Sequence, residues 1–298
     1  VSFPENILQN MILSSAIHAR APWAIMPDML TESLAALSAA RPPKRPIYKS
    51  NDDGEYDMSE DWSLADRHNS ARLMIQQVGG TTAVLQIRGM IVKDCPFYYW
   101  MCGYATPLIL LDAALDMVAE GGFTSLILDF NSPGGSVLGL QETASRIKAL
   151  QTQGVHTTAY ASIMCASAAY YIASACQEIF ASPSAIVGSI GTYSVFMDWS
   201  KAAEMSGLSY KVFVARDAPL KAAGADGTLT QAQADDMQRH VDEADSLFQA
   251  QLKGSRKKLN LEQASTGAWW NASSAPRGMV DDASLFHSLD DLLAVLAA

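Results

Sequence analysis

Histidine is scarce in this chain: there are five in 298 residues, His18, His68, His156, His240 and His287, and none lies between 156 and 240. Cysteine is scarcer still, and Cys95, Cys102, Cys165 and Cys176 form no CxxC pair. That excludes a disulfide framework and a paired-cysteine metal site, and predicts reduced thiols in a reducing compartment. No apolar run reaches the roughly 18 to 20 residues that a membrane-spanning helix needs. The first residues also lack the basic-then-apolar order of a secretory signal. The expectation is a soluble, cytoplasmic protein without a membrane anchor. Basic residues are outnumbered, 21 Lys and Arg against 31 Asp and Glu, for a net charge of −10. Without clustered positive charge to neutralise phosphates, nucleic-acid binding is excluded. The one basic run, Arg256-Lys257-Lys258, reads as a solvated helix end.

What remains is an ordinary globular balance, 49% hydrophobic and 17% charged, in two regions of different character. Residues 1–75 read as an N-terminal arm suited to oligomer contacts, and 76–298 as the domain that carries the chemistry. The arm has a proline-rich turn at Arg41-Pro42-Pro43-Lys44-Arg45-Pro46. It also has an amphipathic helical pattern from Ile7 to Ser15 and the apolar stretch Pro22-Trp23-Ala24-Ile25-Met26-Pro27. That stretch either meets a partner surface or packs on its own domain.

From Thr82 onward, short β-rich runs alternate with helical ones. Strands are predicted at Ala83–Gly89, Ser125–Phe130, Thr157–Ala161, Glu178–Ala181 and Tyr210–Ala215. Helices are predicted at Pro107–Glu120, Val137–Leu150, Ser200–Met205, Thr230 to near Lys257, and Asp290–Leu296, with Thr230-Gln231-Ala232-Gln233 as a capping start. Ser125-Leu126-Ile127-Leu128-Asp129-Phe130 is almost continuously apolar, as a strand buried on both faces must be. This βαβ rhythm predicts an α/β sheet with right-handed crossovers.

The chemistry centres on Ser167, set among small residues in Cys165-Ala166-Ser167-Ala168-Ala169-Tyr170-Tyr171 where a strand gives way to a helix. A serine hydroxyl attacks a carbonyl only when a base takes its proton and donors meet the developing oxyanion. The N–H of Ala168, at the start of the helix, is one such donor. Gly134-Gly135, at the end of a buried strand, can bring a second N–H close to substrate, or can be only the turn that joins strand to helix. The base is the harder question. His156 begins the strand at the end far from the serine, and His240 falls within a polar helix, so both read as surface histidines. A lysine can replace histidine if desolvation favours its neutral amine. Lys221, in Ala218-Pro219-Leu220-Lys221-Ala222-Ala223-Gly224-Ala225, has the least polar sequence surroundings of any lysine in the chain.

These blocks together resemble the signal peptide peptidase A family of Ser-Lys peptidases, in particular its bacteriophage capsid (head maturation) branch, over roughly Thr82 to Asp282. Asn131-Ser132-Pro133-Gly134-Gly135 is similar to the family's oxyanion loop. Ala166-Ser167-Ala168-Ala169-Tyr170 resembles its nucleophile segment, with Ala168-Ala169 in place of the usual Gly-Gly, which narrows the pocket beside the serine. Pro183-Ser184 through Gly188-Ser189-Ile190-Gly191 and Thr266-Gly267 with Gly278-Met279-Val280-Asp281 are similar to two further blocks, and Lys221 falls where the family places its base.

The resemblance implies a Clp-protease/crotonase-like core of stacked βαβ units and peptide hydrolysis through an acyl-enzyme. In it Ser167 is the nucleophile, Lys221 the base, Gly134, Gly135 and Ala168 the oxyanion hole, and Ser189 a supporting hydroxyl. No metal or organic cofactor is implied. Substrates would be capsid or scaffolding proteins, cut by a homo-oligomer in the host cytoplasm or prohead. The alternatives are a cellular protease of the same family, an inactive assembly scaffold, and a crotonase-type acyl-CoA enzyme, whose fold also uses a glycine-lined oxyanion hole.

Overall fold

Strands that are apolar on both faces need cover on both sides, and the chain supplies it by alternating strands with amphipathic helices. In the computed structural model, residues 23–25 and 64–296 are described; the helix expected over Ile7–Ser15 lies outside them. In chain order the elements begin with β1 (Trp23–Ile25), α1 (Leu64–Met74), β2 (Ile75–Val78), β3 (Thr82–Arg88), β4 (Met90–Val92) and α2 (Phe97–Met101). Next come β5 (Ala105–Pro107), α3 (Leu108–Glu120), β6 (Ser125–Ser132), β7 (Gly134–Ser136), α4 (Leu140–Thr152), β8 (His156–Ala166) and α5 (Ala168–Ala173). β9 (Glu178–Ala181), β10 (Ile186–Gly188), α6 (Ser200–Met205), α7 (Gln231–Ser255), α8 (Leu261–Ala264), β11 (Trp269–Asn271) and α9 (Leu289–Leu296) complete the chain. Among the described residues two units are distinguished: a larger one within Ala24–Gly191 and Phe248–Ala298, and a smaller one of Trp23 and Thr192–Leu247.

The larger unit is built on a sheet of order β11-β10-β8-β6-β3-β2, with β9 also pairing β8, and a smaller sheet of order β1-β7-β4-β5. β3, β6, β8 and β10 run parallel, as helical crossovers require. Alternation along the strands divides the core into two faces. Leu85, Ile87, Leu126, Leu128, Phe130, Ala159 and Ala161 belong to the cluster that includes α3, α4 and α5, while Val84, Ile127 and Tyr160 pack with Phe286 and Leu292. α3 follows Pro107, which stands at its N-cap, and buries Leu108, Leu111, Leu115 and Val118, the i, i+3, i+7 stripe that a sheet-covering helix needs. α1 packs on α3 and buries Ala71 and Met74, so residues just before 76 already belong to this core.

Two features position the site. β8 is longer than the predicted Thr157–Ala161 and continues to Ala166, directly before Ser167. Its register against β6 shifts after Phe130, so that Asn131 faces Met164 and Ser132 faces Cys165. The extra residues form a bulge in which Ser162 Oγ donates to the Phe130 carbonyl at 2.9 Å. Below this bulge β8 pairs with β9, and above it with β10.

Two expectations are corrected. Tyr210–Ala215 forms no strand: it has the composition of one but lacks a ladder, since no described strand pairs with it, and Phe213 is 90% exposed. β-propensity reports fitness for a pleated surface and does not by itself provide a neighbour. In the basic run, Lys257 and Lys258 are exposed as expected, but Arg256 is buried. Its guanidinium donates to Asp281 Oδ2 at 3.0 Å and twice to the Gly278 carbonyl, at 3.1 and 3.3 Å. Asp281 Oδ2 also accepts from the Ile179 N–H at 2.9 Å, and Tyr170 on α5 donates to the Met279 carbonyl at 2.8 Å. The segment after Pro276 is thereby tied to the end of α7, to β9 and to the helix that follows Ser167.

In the smaller unit, Thr230 and Gln233 cap α7 reciprocally, the Gln233 N–H to Thr230 Oγ1 at 3.3 Å and the Thr230 N–H to Gln233 Oε1 at 3.0 Å, as predicted. Trp199 and Tyr210 meet edge to face at 4.9 Å.

Replacing Arg256 by Ala removes three hydrogen bonds made by a buried guanidinium to partly exposed acceptors and is expected to cost about 2 kcal/mol. Urea unfolding of the two proteins measures it; a loss below about 1 kcal/mol would show that the segment after Pro276 is held by its apolar contacts alone.

Candidate active site

Ser167 occupies a sharp strand-to-helix turn. It follows the last residue of β8 and is the N-cap of α5, with φ 55° and ψ −119°. A non-glycine residue in this region costs about 1–3 kcal/mol and persists only where its surroundings enforce it. Here the Ser167 N–H donates to the Gly188 carbonyl at 2.7 Å, and its own carbonyl accepts from the Tyr171 N–H at 2.9 Å. The strand on one side and the helix on the other thus hold the residue. Ser167 is 1% exposed, and its Oγ is buried without a hydrogen-bond partner. A buried hydroxyl with no partner is costly for stability, so the site is shaped for something other than stability alone.

The registers place the other candidates around it. Ala166 faces Gly188 in the parallel pair of β8 and β10, so Ser189 is the residue beside Ser167 at the carboxyl ends of adjacent strands. Ser189 is buried, has φ 52°, and its N–H donates to the Ala268 carbonyl at 2.7 Å. On the other side Ser132 faces Cys165, so Gly134 and Gly135 leave β6 next to the turn that carries Ser167, and α5 packs on β7. Ala168 is the first residue of α5, where an N–H has no intrahelical acceptor.

The two glycines differ. The Gly134 N–H donates to Ser132 Oγ at 3.2 Å, and Ser132 Oγ donates to the Gly89 carbonyl at 2.7 Å, so this N–H is already engaged. Gly135 lies against Ile91 of β4, and a Cβ there would stand 1.9 Å from the Ile91 carbonyl oxygen. Gly135 thus sits where only a residue without a side chain fits against the β4 backbone. Gly188, at φ 112°, is equally constrained, since a Cβ would meet the Trp270 ring at 2.8 Å and the Ala268 carbonyl at 2.9 Å.

Neither histidine weighed as a base belongs to this cluster. His156 opens β8, roughly 30 Å of strand away from Ser167, and bonds Glu178 at 2.9 Å. His240 lies on α7 beside Asp236 and Glu243. Lys221 lies in the smaller unit with its side chain exposed, in a run of turns where its N–H donates to the Ala218 carbonyl at 3.0 Å. Ser167, Ser189, Gly134, Gly135 and Ala168 are thus brought together within the larger unit, and Lys221 is not part of that unit. Among described residues, the non-glycine positions with positive φ are Ser167, Ser189 and Ala222, the last being the neighbour of Lys221.

Cys165 and Cys176 are fully buried, and burial pushes both thiols up, Cys176 to about 12, so neither is a nucleophile at neutral pH. No group of described residues has the composition of a metal site, and no described helix is long and apolar enough to cross a membrane.

The model of peptidase family S49 matches residues 149–298, half of the chain. The chain belongs to peptidase family S49. The matched span takes in Ser167, Ser189 and Lys221 and starts after Gly135. Among curated proteins, the chain is 32% identical over 117 residues to "Protease 4" of Salmonella typhi, which is 39% of this chain and 18% of that protein. It is 24% identical over 169 residues to the "Probable protease SohB" of Haemophilus influenzae, 56% and 47% of the two chains. It therefore spans less than half the length of either. Among solved structures it is similar to a variant of the 1510-N membrane-bound stomatin-specific protease, with 15% identity, 72% and 83% coverage and a TM-score of 0.41. An enoyl-CoA hydratase/isomerase family member matches at 14% identity, 74% and 73% coverage and a TM-score of 0.39.

Sequence reasoning missed Ser132, which occupies the Gly134 N–H, and Gly188, whose carbonyl anchors Ser167. Gly188 had a signal, since it opens the Gly-Ser-Ile-Gly block; Ser132 had none beyond its place in the loop.

Glycine adopts the Ser167 backbone without strain, while alanine does not. Ser167→Gly is expected to be more stable than Ser167→Ala by about 1 kcal/mol, part of the relieved strain being offset by the flexibility of the unfolded chain. Thermal unfolding of the two variants compares them, and an equal or lower midpoint for the glycine variant would refute the strain. Gly135→Ala should destabilise the protein by about 2 kcal/mol or more, because the Ile91 backbone it would strike cannot rotate away; a change under 0.5 kcal/mol in urea titration would mean that β7 shifts freely.

Proposed function

We propose that the protein is a serine endopeptidase in which Ser167 is the nucleophile and Lys221 the general base. The observation that carries this is the Ser167 turn itself: a strained, buried serine with an unpartnered Oγ, beside the first N–H of α5 and the Gly134-Gly135 loop. The neutral Lys221 amine takes the Oγ proton as Oγ bonds the substrate carbonyl carbon, and the N–H groups of Gly135 and Ala168 hold the oxyanion. The carbon–nitrogen bond then breaks, and the lysine ammonium gives its proton to the leaving amine. Water, deprotonated by the same amine, hydrolyses the acyl-enzyme. Ser189, beside Ser167, orients the lysine by hydrogen bonding. No metal or organic cofactor takes part in these steps.

Substrates are extended segments of other proteins, and the working form is a homo-oligomer. The curated relatives are proteins of bacteria named "Protease 4" and "Probable protease SohB", which supports a cellular processing role over the narrower one in phage head maturation. The narrower role would require cleavage of co-expressed capsid or scaffolding protein that stops with Ser167→Ala.

A fluorophosphonate should leave an intact adduct on Ser167 by mass spectrometry; an unlabelled serine would return the acyl-CoA enzyme and the inactive scaffold as readings. Lys221→Ala is expected to lower casein hydrolysis by about 10²–10⁴-fold with the unfolding midpoint unchanged, and the wild-type rate should fall as pH is lowered, since only a neutral amine accepts a proton. Retention of near-normal activity in that variant, or a rate independent of pH from about 5 to 9, would exclude the lysine.

A further inference from the structure

β7 carries Gly134, Gly135 and Ser136, and in its sheet it has two edges: β4 takes one and β1 takes the other. β1 comes from far upstream, and its Ala24 and Ile25 belong to the same larger unit. Proline stands before and after it, at 22 and 27. Because proline has no N–H to give a ladder, the segment is confined to a short strand. The backbone of Trp23–Ile25 therefore lies along the strand that carries Gly134 and Gly135.

This placement bears on how substrate enters. A peptide whose scissile carbonyl meets Ser167 Oγ and the Gly135 N–H must run alongside β7. β4 holds one edge, as the Ile91–Gly135 pairing shows, so the edge open to an incoming chain is the one where β1 lies. An unpaired strand edge is a template for an extended segment, with main-chain hydrogen bonds supplying affinity.

We propose that the Trp23–Ile25 strand is an internal occupant of the outer edge of β7, the edge along which an extended substrate segment would add, and that substrate must displace it. The proposal rests on the reading of Ser167 and Gly135 given above. A strand of three residues has few ladder bonds, so it is displaceable, and the apparent affinity for substrate is reduced by the fraction of molecules in which it is docked.

The test uses the full chain with Ala24→Pro and, separately, Ile25→Pro. Successive N–H groups of a strand point to opposite edges, so one of the two removes a donor aimed at β7. Amide hydrogen exchange of 134–136 is measured with that of α5 as reference, together with fluorophosphonate labelling of Ser167 and the steady-state kinetics of casein hydrolysis. At least one variant is expected to speed exchange at 134–136 about tenfold while α5 stays protected, and to lower KM for casein about threefold or more at unchanged kcat. Unchanged exchange at 134–136 in both variants overturns the proposal. So does faster exchange with an unchanged KM in a protein that still labels at Ser167, since the strand would then be docked without competing. If Ser167 takes no label in any of the proteins, the nucleophile reading falls and this proposal falls with it, an outcome distinct from the other two.

Discussion

The site depends on the parallel pairing of β8 with β6 on one side and β10 on the other. Those pairings carry β8 to Ala166 and stop it beside Gly188, whose carbonyl then captures the Ser167 N–H. With α5 starting one residue later, the chain at Ser167 must turn more sharply than a serine prefers, and the strain is sustained by the ladders around it. Ser189 repeats the arrangement one strand away, with its N–H on Ala268. Two neighbouring strands thus end in strained serines at the carboxyl edge of one sheet, where α/β folds present their ligand sites.

Much of the surrounding architecture serves to keep these strand ends in place. The bulge after Phe130 shifts β8 against β6, so that Ser132 comes level with Cys165 and the glycine loop comes level with the serine turn. Ser132 then engages Gly134, and the close approach of Gly135 to Ile91 leaves no room for a side chain. On the opposite side of α5, Tyr170 reaches the Met279 carbonyl in the segment that Arg256 and Asp281 secure. The helix that starts at Ser167 is therefore fastened at both ends, by strand pairing before Ser167 and by the hydrogen bonds of Tyr170 and Arg256 after it.

Local patterns in the sequence were enough to locate most elements. The apolar run of β6, the stripe of α3, β9, α6 and the capping box of α7 all appeared where period and cap chemistry placed them, because those signals arise from residues a few positions apart. Tyr210–Ala215 shows the limit of the same reasoning: its pattern is that of a strand, but no described strand lies along it. Arg256 shows another, since a basic residue in a charged run is ordinarily solvated, and its burial follows from Gly278 and Asp281 some twenty residues later.

By itself the sequence determined the α/β class, singled out Ser167 and the Gly134-Gly135 loop as candidates, and left no histidine between 156 and 240. These rest on residue type and order, which are properties of the chain whatever its neighbours. Only the tertiary structure decided that Ser189 stands beside Ser167, that the Gly134 N–H is already engaged by Ser132, that Gly135 has no room for a side chain against Ile91, that Arg256 is interior, and that Trp23–Ile25 lies on the edge of β7. Each of these is a pairing between segments distant along the chain. Local propensity carries no information about which edge a strand will find, because register and neighbour are set by the burial of the whole sheet.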